Sequence, residues 1–435
     1  MTGNRNIKKQ VSEQHPDSYY LATASSHDSF PTLSGEESCD ICVVGGGFTG
    51  LSTALHLRQA GFDVILLEAN LVGWGASGRN GGQLGSGQRA DQATLEKMVG
   101  TAGAHVLWDL AEDSKNLVKQ LVRDHNIDCD LKPGVLHAAH KKRYTEDYRE
   151  EALKLRNEYG YDQIRFVDED EMAEMLGMRT YFGGTLDMGA CHLHPLNLAL
   201  GMAGACKKAG VRIYENSRVE SYRENNGITV CTAAGRVSAR QLVLGCNGYL
   251  GNLEPRLAGK IMPINNFVVA TEPLGEARAR MINRDDVAVA DSKFVINYFR
   301  MSADHRLLFG GGENYTPGFP ADLASFVRKY MLEIYPALED VRIDYAWGGT
   351  LAITMNRLPH IGKLGPNIFY AQGFSGHGVG MATLAGKVVA DAISGRHDSF
   401  DVFEKLPTHS FPGGQFLRWP MMVLGMMYYA LRDRI

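Results

Sequence analysis

The sequence predicts an α/β fold, α+β when the whole chain is counted, in which one domain is assembled from separated segments and a second domain is inserted into it. Three observations predict this arrangement. A strand–helix–strand pattern lies near the N-terminus, a strand, glycine turn and helix occupy 366–395, and mixed strand and helix patterns fill the residues between. At 435 residues the chain is also long for one domain, so two are expected.

The N-terminal pattern begins with Ile41–Val44, a short apolar run rich in β-branched residues that is typical of a strand buried on both faces. After Gly50 the apolar residues follow a helical period, and Gly61 is placed to end the helix. A second apolar run, Val64–Leu67, follows at once. Strand, helix and strand within about thirty residues form the mononucleotide-binding unit of a Rossmann-type domain.

Three glycines in this unit are spaced for phosphate binding. Gly45 allows a tight turn, Gly47 lets the backbone approach a pyrophosphate, and Gly50 lets the helix pack close to the strand. Glu68 follows about twenty residues later, at the end of the second strand, where a carboxylate accepts hydrogen bonds from an adenosine ribose. A carboxylate there also repels a 2′-phosphate, which argues against NADP. The unit therefore predicts a bound dinucleotide.

A second glycine turn distinguishes FAD from NAD. The stretch GFSGHGVGMATLAG places Gly373–Gly378 at the start of a helix of about fifteen residues. A helix N-terminus favours an anion, and this one is hundreds of residues from the first. Reduced flavin carries negative charge at N1 and the C2 carbonyl, whereas nicotinamide develops no such anion. The two turns together favour FAD.

Composition excludes several classes of function. A net charge of −4 and the lack of a lysine-rich tract argue against a nucleic acid partner. No apolar run reaches the roughly 20 residues of a membrane-spanning helix, and Met421–Ala430 is too short. We expect that Met-rich stretch to pack as a helix or strand on the core or on a partner subunit, with loose membrane association as the alternative. Seven cysteines without an export signal indicate reduced thiols and a cytoplasmic protein.

The order of the patterns also divides the chain. We expect the FAD-binding domain to comprise 37–92, 190–252 and 347–396, and the substrate domain to comprise 93–189 and 253–346. An N-terminal arm, 1–36, and a C-terminal tail, 397–435, flank these segments.

Several stretches together resemble a known family. They are CDICVVGGGFTGLSTALHL, GWGASGRNGGQL, MGACHLHPLNLALG, RLLFGGG, QGFSGHGVG, FPGG and YYALRDR, and they extend over nearly the whole chain. The sequence is similar to the FAD-dependent amine oxidoreductases of the D-amino-acid oxidase and glycine oxidase group. The resemblance implies an oxidoreductase that acts on a small-molecule amine and passes electrons to O2 or another acceptor. The closing YYALRDR points to the members that act on γ-glutamylated polyamines.

The resemblance also implies the residues that hold FAD. Those near the pyrophosphate, the ribose and the adenine are Gly45, Gly46, Gly47, Phe48, Thr49, Gly50, Glu68, Ala69 and Val219. Those along the pyrophosphate and flavin are Ser77, Arg79, Asn80, Gly81, Gly82, Gln83, Gly376, His377, Gly378 and Val379. Some members attach FAD to a cysteine before the C-terminal turn or to a histidine in the N-terminal glycine loop. No cysteine follows Cys246 and no histidine lies in 73–89, so we expect noncovalent FAD.

Four residues are candidates for catalysis. His377 lies beside the expected flavin, with a capping histidine as the alternative interpretation. Tyr298 and Arg300 are candidates for substrate contact, and Arg300 suits a γ-glutamyl carboxylate because its guanidinium pairs carboxylates bidentately. Their alternative is an ordinary place in a β-sheet. Lys293 is a candidate for oxygen activation.

Three further alternatives are weighed against these expectations. His192 and His194 would share a face of an extended segment, but no third ligand accompanies them, so a turn before Pro195 is favoured and no metal is expected. The function could also be oxidation of another amine or amino acid, such as sarcosine, glycine or a D-amino acid, with the same cofactor. A flavin-binding module for RNA modification is a third possibility, but it would require a basic face or a fused domain.

Overall fold

A computed structural model describes residues 14–26, 28–312 and 318–413. The strands in these ranges are β1 (Gly35–Val44), β2 (Val64–Leu67), β3 (Gln83–Leu84), β4 (Lys132–Ala138), β5 (Ile164–Val167), β6 (Gly184–His192), β7 (Arg212–Tyr214), β8 (Val219–Glu224), β9 (Ile228–Thr232), β10 (Gly235–Leu244), β11 (Met262–Thr271), β12 (Ala288–Asp291), β13 (Tyr298–Met301), β14 (Leu307–Gly310), β15 (Ile343–Ile353), β16 (His360–Lys363) and β17 (Ile368–Gln372). The helices are α1 (Tyr19–Ala22), α2 (Phe48–Gln59), α3 (Gln92–Asp124), α4 (Thr145–Glu158), α5 (Glu169–Leu176), α6 (Pro195–Ala209), α7 (Pro255–Ala258), α8 (Glu276–Ile282), α9 (Leu323–Ile334), α10 (Gly378–Ile393) and α11 (Asp398–Glu404).

The first sheet has the order β16-β17-β10-β1-β2-β7, and β9 of the β8–β9 hairpin joins it along β10. The pairs β17–β10, β10–β1, β1–β2 and β2–β7 are parallel. Its strands come from three separated parts of the chain, as the sequence predicts for a Rossmann-type domain. All four residues of β2 are buried, because helices and loops cover both faces.

Three helices, α2, α6 and α10, pack with much of α3 into one apolar cluster against this sheet. The contact between α2 and α10 is unusually close. A Cβ on Gly386 would collide with Thr49 O and lie 2.7 Å from Ser52 Cβ. The Ser52 hydroxyl also donates to Thr383 O at 2.6 Å. The first unit and the C-terminal unit are therefore held together at backbone distance.

The second sheet has the order β15-β11-β14-β13-β12-β4-β6-β3, with β5 paired to β6. Helices α5, α8 and α9 cover its own apolar cluster, in which Phe267, Phe299 and Phe309 are almost fully buried. The sheet includes β3 at 83–84, and β15 at 343–353 crosses the expected boundary between 346 and 347. Helix α3 packs on the first cluster, although 93–189 was assigned to the substrate domain. The domain bounds themselves stay a prediction.

The described part of the N-terminal arm packs on the second sheet. Tyr20 is fully buried, and its ring lies 5.1 Å from that of Trp347. The Met-rich stretch Met421–Ala430 lies outside the described residues, so its packing stays a prediction. Within 14–26, 28–312 and 318–413, no helix combines the length and apolar character that crossing a bilayer requires.

The close helix contact leads to a test of packing. Gly386→Ala should destabilise the protein by about 1–3 kcal/mol, because its methyl group would force α2 and α10 apart. Gly204→Ala in α6 is a matched control, since its Cβ would meet nothing within 4 Å. That control should stabilise the protein by about 0.5–1 kcal/mol, because alanine lowers the backbone entropy of the unfolded chain. Urea unfolding of both variants measures this, and a Gly386→Ala protein as stable as wild type would contradict the close packing.

Candidate active site

A cavity of about 1410 Å³ lies between the two sheets. The first sheet lines it with Val44 and Leu67, at the carboxyl ends of β1 and β2, and with Gly245, which follows β10. The second sheet contributes Asn266 and Tyr298 to the opposite wall. Ligands of open α/β sheets bind at the carboxyl ends of the strands, so the cavity lies where a ligand is expected.

The first glycine turn forms one end of this cavity. Gly45 has φ of +112°, and a Cβ there would lie 2.9 Å from Gly245 O. A Cβ on Gly47 would lie 2.8 Å from the Ser77 hydroxyl oxygen, which accepts a hydrogen bond from Phe48 N at 3.0 Å. Side chains would fill this cradle, so the glycines keep the first turn of α2 open to a phosphate.

Glu68 braces the same turn. Its carboxylate accepts hydrogen bonds from Gly46 N at 2.6 Å and Asn70 N at 2.8 Å. Burial raises the pKa of this carboxyl, and the two N–H donors oppose the rise. Glu68 also lines the cavity, in a position for a ribose, and Val219 lines it at the same end. These positions fit the adenosine half of a dinucleotide.

The loop after β2 is held by its own polar side chains. Arg79 donates to Trp74 O at 2.5 Å and to Gly348 O at 3.0 Å, and its guanidinium lies 4.1 Å from the Trp74 ring. The Asn80 side-chain oxygen accepts from Gly82 N at 2.8 Å. Because these bonds fix the loop, it presents a constant surface along the middle of the cavity.

The C-terminal glycine turn forms the other end. Gly373, Ser375 and Gly376 all have positive φ, and the Ser375 hydroxyl lies 3.2 Å from Thr354 N, which donates to it. Helix α10 then begins at Gly378 without a side-chain cap. Its free N–H groups and dipole face the cavity, which favours negative charge on a ligand at that point.

His377 lines the cavity at this turn. Burial, assisted by the nearby Arg89 cation, lowers the pKa of its imidazole to about 4. The ring is therefore neutral at pH 7 and adds no charge to the end of the cavity where α10 begins.

Most of the expected cofactor residues line this one cavity. They are Gly45, Gly47, Phe48, Thr49, Glu68, Ala69, Ser77, Arg79, Asn80, Gly81, Gln83, Val219, Gly376, His377, Gly378 and Val379. Three others lie behind the wall: Gly46 donates to Glu68, while a Cβ on Gly50 or Gly82 would collide with a backbone carbonyl. Gly46 and Gly50 shape the first glycine turn, and Gly82 lets the loop after β2 approach Leu193 O.

The remaining catalytic candidates, Tyr298, Lys293 and Arg300, differ in whether they line the cavity. Tyr298 lines the cavity, and its hydroxyl donates to the Asn266 side-chain oxygen. Lys293 also lines it, but its ammonium group lies 3.8 Å from the carboxylate of Glu333, on α9.

The structure does not bring Arg300 to the cavity. Only 2% of the residue is exposed, and its Nε donates to Gly81 O at 3.1 Å while Nη1 donates to Met301 O at 3.3 Å. A direct contact between Arg300 and a substrate carboxylate is therefore the wrong expectation. The loop at Gly81 covers the side chain, which supports that loop from below.

Sequence reasoning missed several residues at the α10 end. They are Arg89, His137, Tyr148, Asp291 and Arg357, and all line the cavity. They come from the loop before α3, from β4, α4 and β12, and from the loop after β15. No local spacing connects them, because only the folded chain brings these elements together.

His192 and His194 have structural roles. His194 is the N-cap of α6, where its Nδ1 accepts from Asn197 N at 3.1 Å. His192 lies in β6, and its Nε2 contacts Asp286 O at 2.9 Å. Among the described residues, no group of three or more His, Cys, Asp or Glu side chains is arranged to hold a metal ion.

The fold and the cavity define a class of protein. A phosphate cradle at the carboxyl ends of a parallel sheet, a braced carboxylate for a ribose, and a second helix N-terminus at the far end suit a flavin dinucleotide. These features are those of a flavin-dependent oxidoreductase.

Comparison with known proteins identifies the family. Residues 40–392 match the FAD dependent oxidoreductase (DAO) family, and the chain belongs to it. It is 40% identical to the gamma-glutamylputrescine oxidoreductase of Escherichia coli (strain K12), over 97% of this chain and 99% of that protein. It is 39% identical to a probable oxidoreductase of Rhizobium meliloti (strain 1021), over 96% of this chain and 97% of that protein. The expected fold class, family and FAD cofactor are thereby confirmed.

A solved structure shares the fold. The crystal structure of glycine oxidase from Geobacillus kaustophilus superposes with a TM-score of 0.73, and the match covers 86% of this chain and 100% of that chain. Sequence identity is 21%, so the comparison supports the architecture of the two sheets and leaves the substrate open.

The brace at Glu68 leads to a prediction about FAD affinity. Glu68→Gln has one acceptor oxygen where the carboxylate has two, so either Gly46 N or Asn70 N loses its partner. Hydrogen bonds to charged groups contribute about 1.5–3 kcal/mol, so the Kd for FAD should rise about tenfold to 100-fold. Fluorescence titration of the apoprotein with FAD measures this. Glu36→Gln, an exposed change in β1, should leave the Kd unchanged, and equal values for both variants would contradict the assignment.

The buried histidine leads to a prediction about acid stability. Burial lowers the pKa of His192 from 6.5 to about 3, so between these values the unfolded chain binds a proton that the native protein does not. Stability therefore falls as pH falls below the unfolded pKa, by up to about 1.4 kcal/mol per pH unit for this residue. Urea unfolding at pH 6.5 and about pH 4.5, at saturating FAD, should show a smaller loss in His192→Gln than in wild type. Equal losses would contradict the buried neutral histidine.

Proposed function

We propose that this protein oxidises the primary amine of a γ-glutamylated polyamine such as γ-glutamylputrescine. In the balanced reaction, an R–CH2–NH2 group, O2 and H2O give R–CHO, NH3 and H2O2. The observation that carries the proposal is a 40% identity, over 97% of this chain, to a protein named gamma-glutamylputrescine oxidoreductase. The cavity supports the proposal. Its volume of about 1410 Å³ includes space beside Tyr298 of the second sheet, beyond the glycine turn that would hold the dinucleotide.

FAD supplies the hydride acceptor when it is bound. Gly45, Gly47 and Ser77 would hold its pyrophosphate, Glu68 its ribose, and the turn before α10 its ring. The resemblance implies noncovalent FAD, since members that attach it use a histidine in the N-terminal glycine loop or a cysteine before the C-terminal turn. Here no histidine lies in 73–89 and no cysteine follows Cys246.

The chain's own residues would position the amine. Tyr298 is fixed by its hydrogen bond to Asn266 and packs against Gly81, so it forms a rigid part of the cavity wall. Correct placement of the carbon next to nitrogen is the main contribution that a protein makes to such a reaction.

Positive charge near the start of α10 would favour the reactive form of the amine. Hydride loss requires a neutral amine, and nearby positive charge lowers the pKa of an ammonium group. Arg89 and the N-terminus of α10 provide that charge, while neutral His377 can hydrogen bond without a proton being added. The amine would therefore bind near the α10 turn without its proton.

Anaerobic reduction of the bound flavin tests the proposal. Bleaching of the visible band by γ-glutamylputrescine, with peroxide formed when air returns, is the expected result. Putrescine, sarcosine, glycine and D-alanine are the comparison substrates. Selective bleaching by one of them would contradict the γ-glutamyl amine as the substrate and identify that compound instead. Acid precipitation of the same preparation should leave the flavin in the supernatant, and flavin in the pellet would contradict noncovalent binding.

A further inference from the structure

One histidine of the cavity wall makes no side-chain hydrogen bond within the part of the chain that the structure describes. His137 lies in β4 and lines the cavity, as Tyr298 of β13 does. The pairing of the second sheet places both on the cavity face, because His137 is opposite Ala290 of β12 and Ala290 is opposite Tyr298. The imidazole of His137 is therefore free to interact with a ligand.

A buried carboxylate lies behind this histidine. Asp187 belongs to β6, where Thr185 is opposite His137 and Asp187 is opposite Val135. The side chains of His137 and Asp187 are thus diagonal neighbours on one face of the sheet, a separation that long and aromatic side chains can bridge. An anion therefore stands next to the unpartnered imidazole, on the side away from the cavity.

The orientation of Asp187 is fixed through one of its two oxygens. Its Oδ1 accepts from the Tyr161 hydroxyl at 2.5 Å, from Gly189 N at 2.9 Å and from Ala190 N at 3.1 Å. No described donor bonds its Oδ2. Three donors directed at one oxygen hold the carboxylate still and leave the other oxygen for a further partner.

A buried lysine fixes Tyr161 in turn. The Lys115 ammonium group donates to the Tyr161 hydroxyl at 3.1 Å and to the Ser86 hydroxyl, and it pairs with Glu112 at 2.9 Å. Its three N–H groups thus have three acceptors. Burial and the Asp187 carboxylate raise the pKa of Tyr161, so the hydroxyl keeps the proton that it donates. None of these four residues lines the cavity, so their contribution is to position Asp187.

The other charged or titratable residues that line the cavity near His137 are Arg89, Tyr148, Asp291, Lys293, Arg357 and His377. Two of these could also receive a proton. Burial and the Arg89 cation lower the pKa of His377 to about 4, and Asp291 already accepts three hydrogen bonds. Burial lowers the pKa of His137 as well, but Asp187 opposes that effect. His137 is therefore the better proton acceptor.

The proposed reaction needs such an acceptor. An alkylammonium group has a pKa of about 10, so the amine reaches the protein at pH 7 with a proton that must leave before hydride transfer. A base held beside the amine makes the abundant protonated form usable.

We propose that His137 takes the ammonium proton of the substrate and that Asp187 stabilises the imidazolium that forms. This inference rests on the proposed function and deepens it. An N–H bond of the ammonium breaks, its electron pair stays on the nitrogen, and an N–H bond forms on the imidazole. The hydride and this proton together convert O2 to H2O2, which returns the imidazole to its neutral form.

The pH dependence of flavin reduction tests His137. The measured quantity is the anaerobic reduction rate constant divided by the Kd of the amine, from stopped-flow mixing. In wild type it should be nearly level between about pH 7 and pH 9, because a neutral base and an ammonium group are both abundant there. In His137→Gln it should be about 100-fold lower at pH 7 and rise about tenfold per pH unit, since only the neutral amine then reacts.

The exposed His397→Gln is the matched control and should follow wild type. Melting temperatures of all variants confirm that they fold. A His137→Gln profile parallel to that of wild type would overturn the inference. So would a rising profile in His377→Gln combined with a level one in His137→Gln, since the proton would then go to the other histidine.

A second measurement tests Asp187 without any turnover. NMR titration of the FAD-loaded protein with labelled histidine gives the pKa of His137, whose signal is the one missing in His137→Gln. Asp187→Asn should lower that pKa, because it removes the anion that raises it. The exposed Asp162→Asn is the control and should leave it unchanged. An equal pKa in Asp187→Asn and wild type would overturn the role of Asp187.

These experiments distinguish failure of this inference from failure of the proposed function. If another amine bleaches the flavin in place of γ-glutamylputrescine, the pH series is run with that amine. Different profiles for wild type and His137→Gln then support the inference although the proposed substrate is wrong. Parallel profiles with γ-glutamylputrescine overturn the inference and leave the proposed function standing. If no amine bleaches the flavin, both are overturned.

Discussion

The close contact between α2 and α10 is the constraint on which the rest of the molecule depends. Both helices begin at a glycine turn, and both turns must face one cavity. Gly386 and Ser52 let the helices approach to backbone distance, and the hydrogen bond from Ser52 to Thr383 fixes their register. Any larger side chain at 386 would separate the helices and so move the two helix N-termini relative to each other. Packing in the core therefore sets the span over which a single dinucleotide can be held.

A second constraint concerns positive charge. Guanidinium groups are costly to bury without partners, and the protein treats its arginines in two ways. Arg79 and Arg300 are satisfied by carbonyl oxygens, and they fix the loop along the middle of the cavity. Arg89, Arg218 and Arg357 line the cavity, and none of them donates such a bond to the part of the chain that the structure describes. The difference separates arginines that support the structure from those available to a ligand, and it is visible only in the hydrogen-bond pattern.

The case of Arg300 shows why a strand pattern does not assign such roles. Tyr298 and Arg300 lie two apart on β13, so they share one face of the sheet. Sequence reasoning made both candidates for substrate contact. The loop at Gly81 and Gly82 crosses above Arg300, whose Nε bonds Gly81 O, while Tyr298 lines the open part of the cavity. A loop more than two hundred residues away in the chain decides which of the two faces the cavity.

The sequence by itself determined the features that depend on neighbours along the chain. The glycine spacing from Gly45 to Gly50, the acidic residue after the second strand and the glycine turn before α10 were all readable, because turns and helix starts are set by local backbone geometry. These features also indicated FAD. Tertiary structure decided which side chains share the end of the cavity where α10 begins. Arg89, Tyr148 and Arg357 belong to separate elements, and only the packing of the second sheet against the first brings their side chains to one wall.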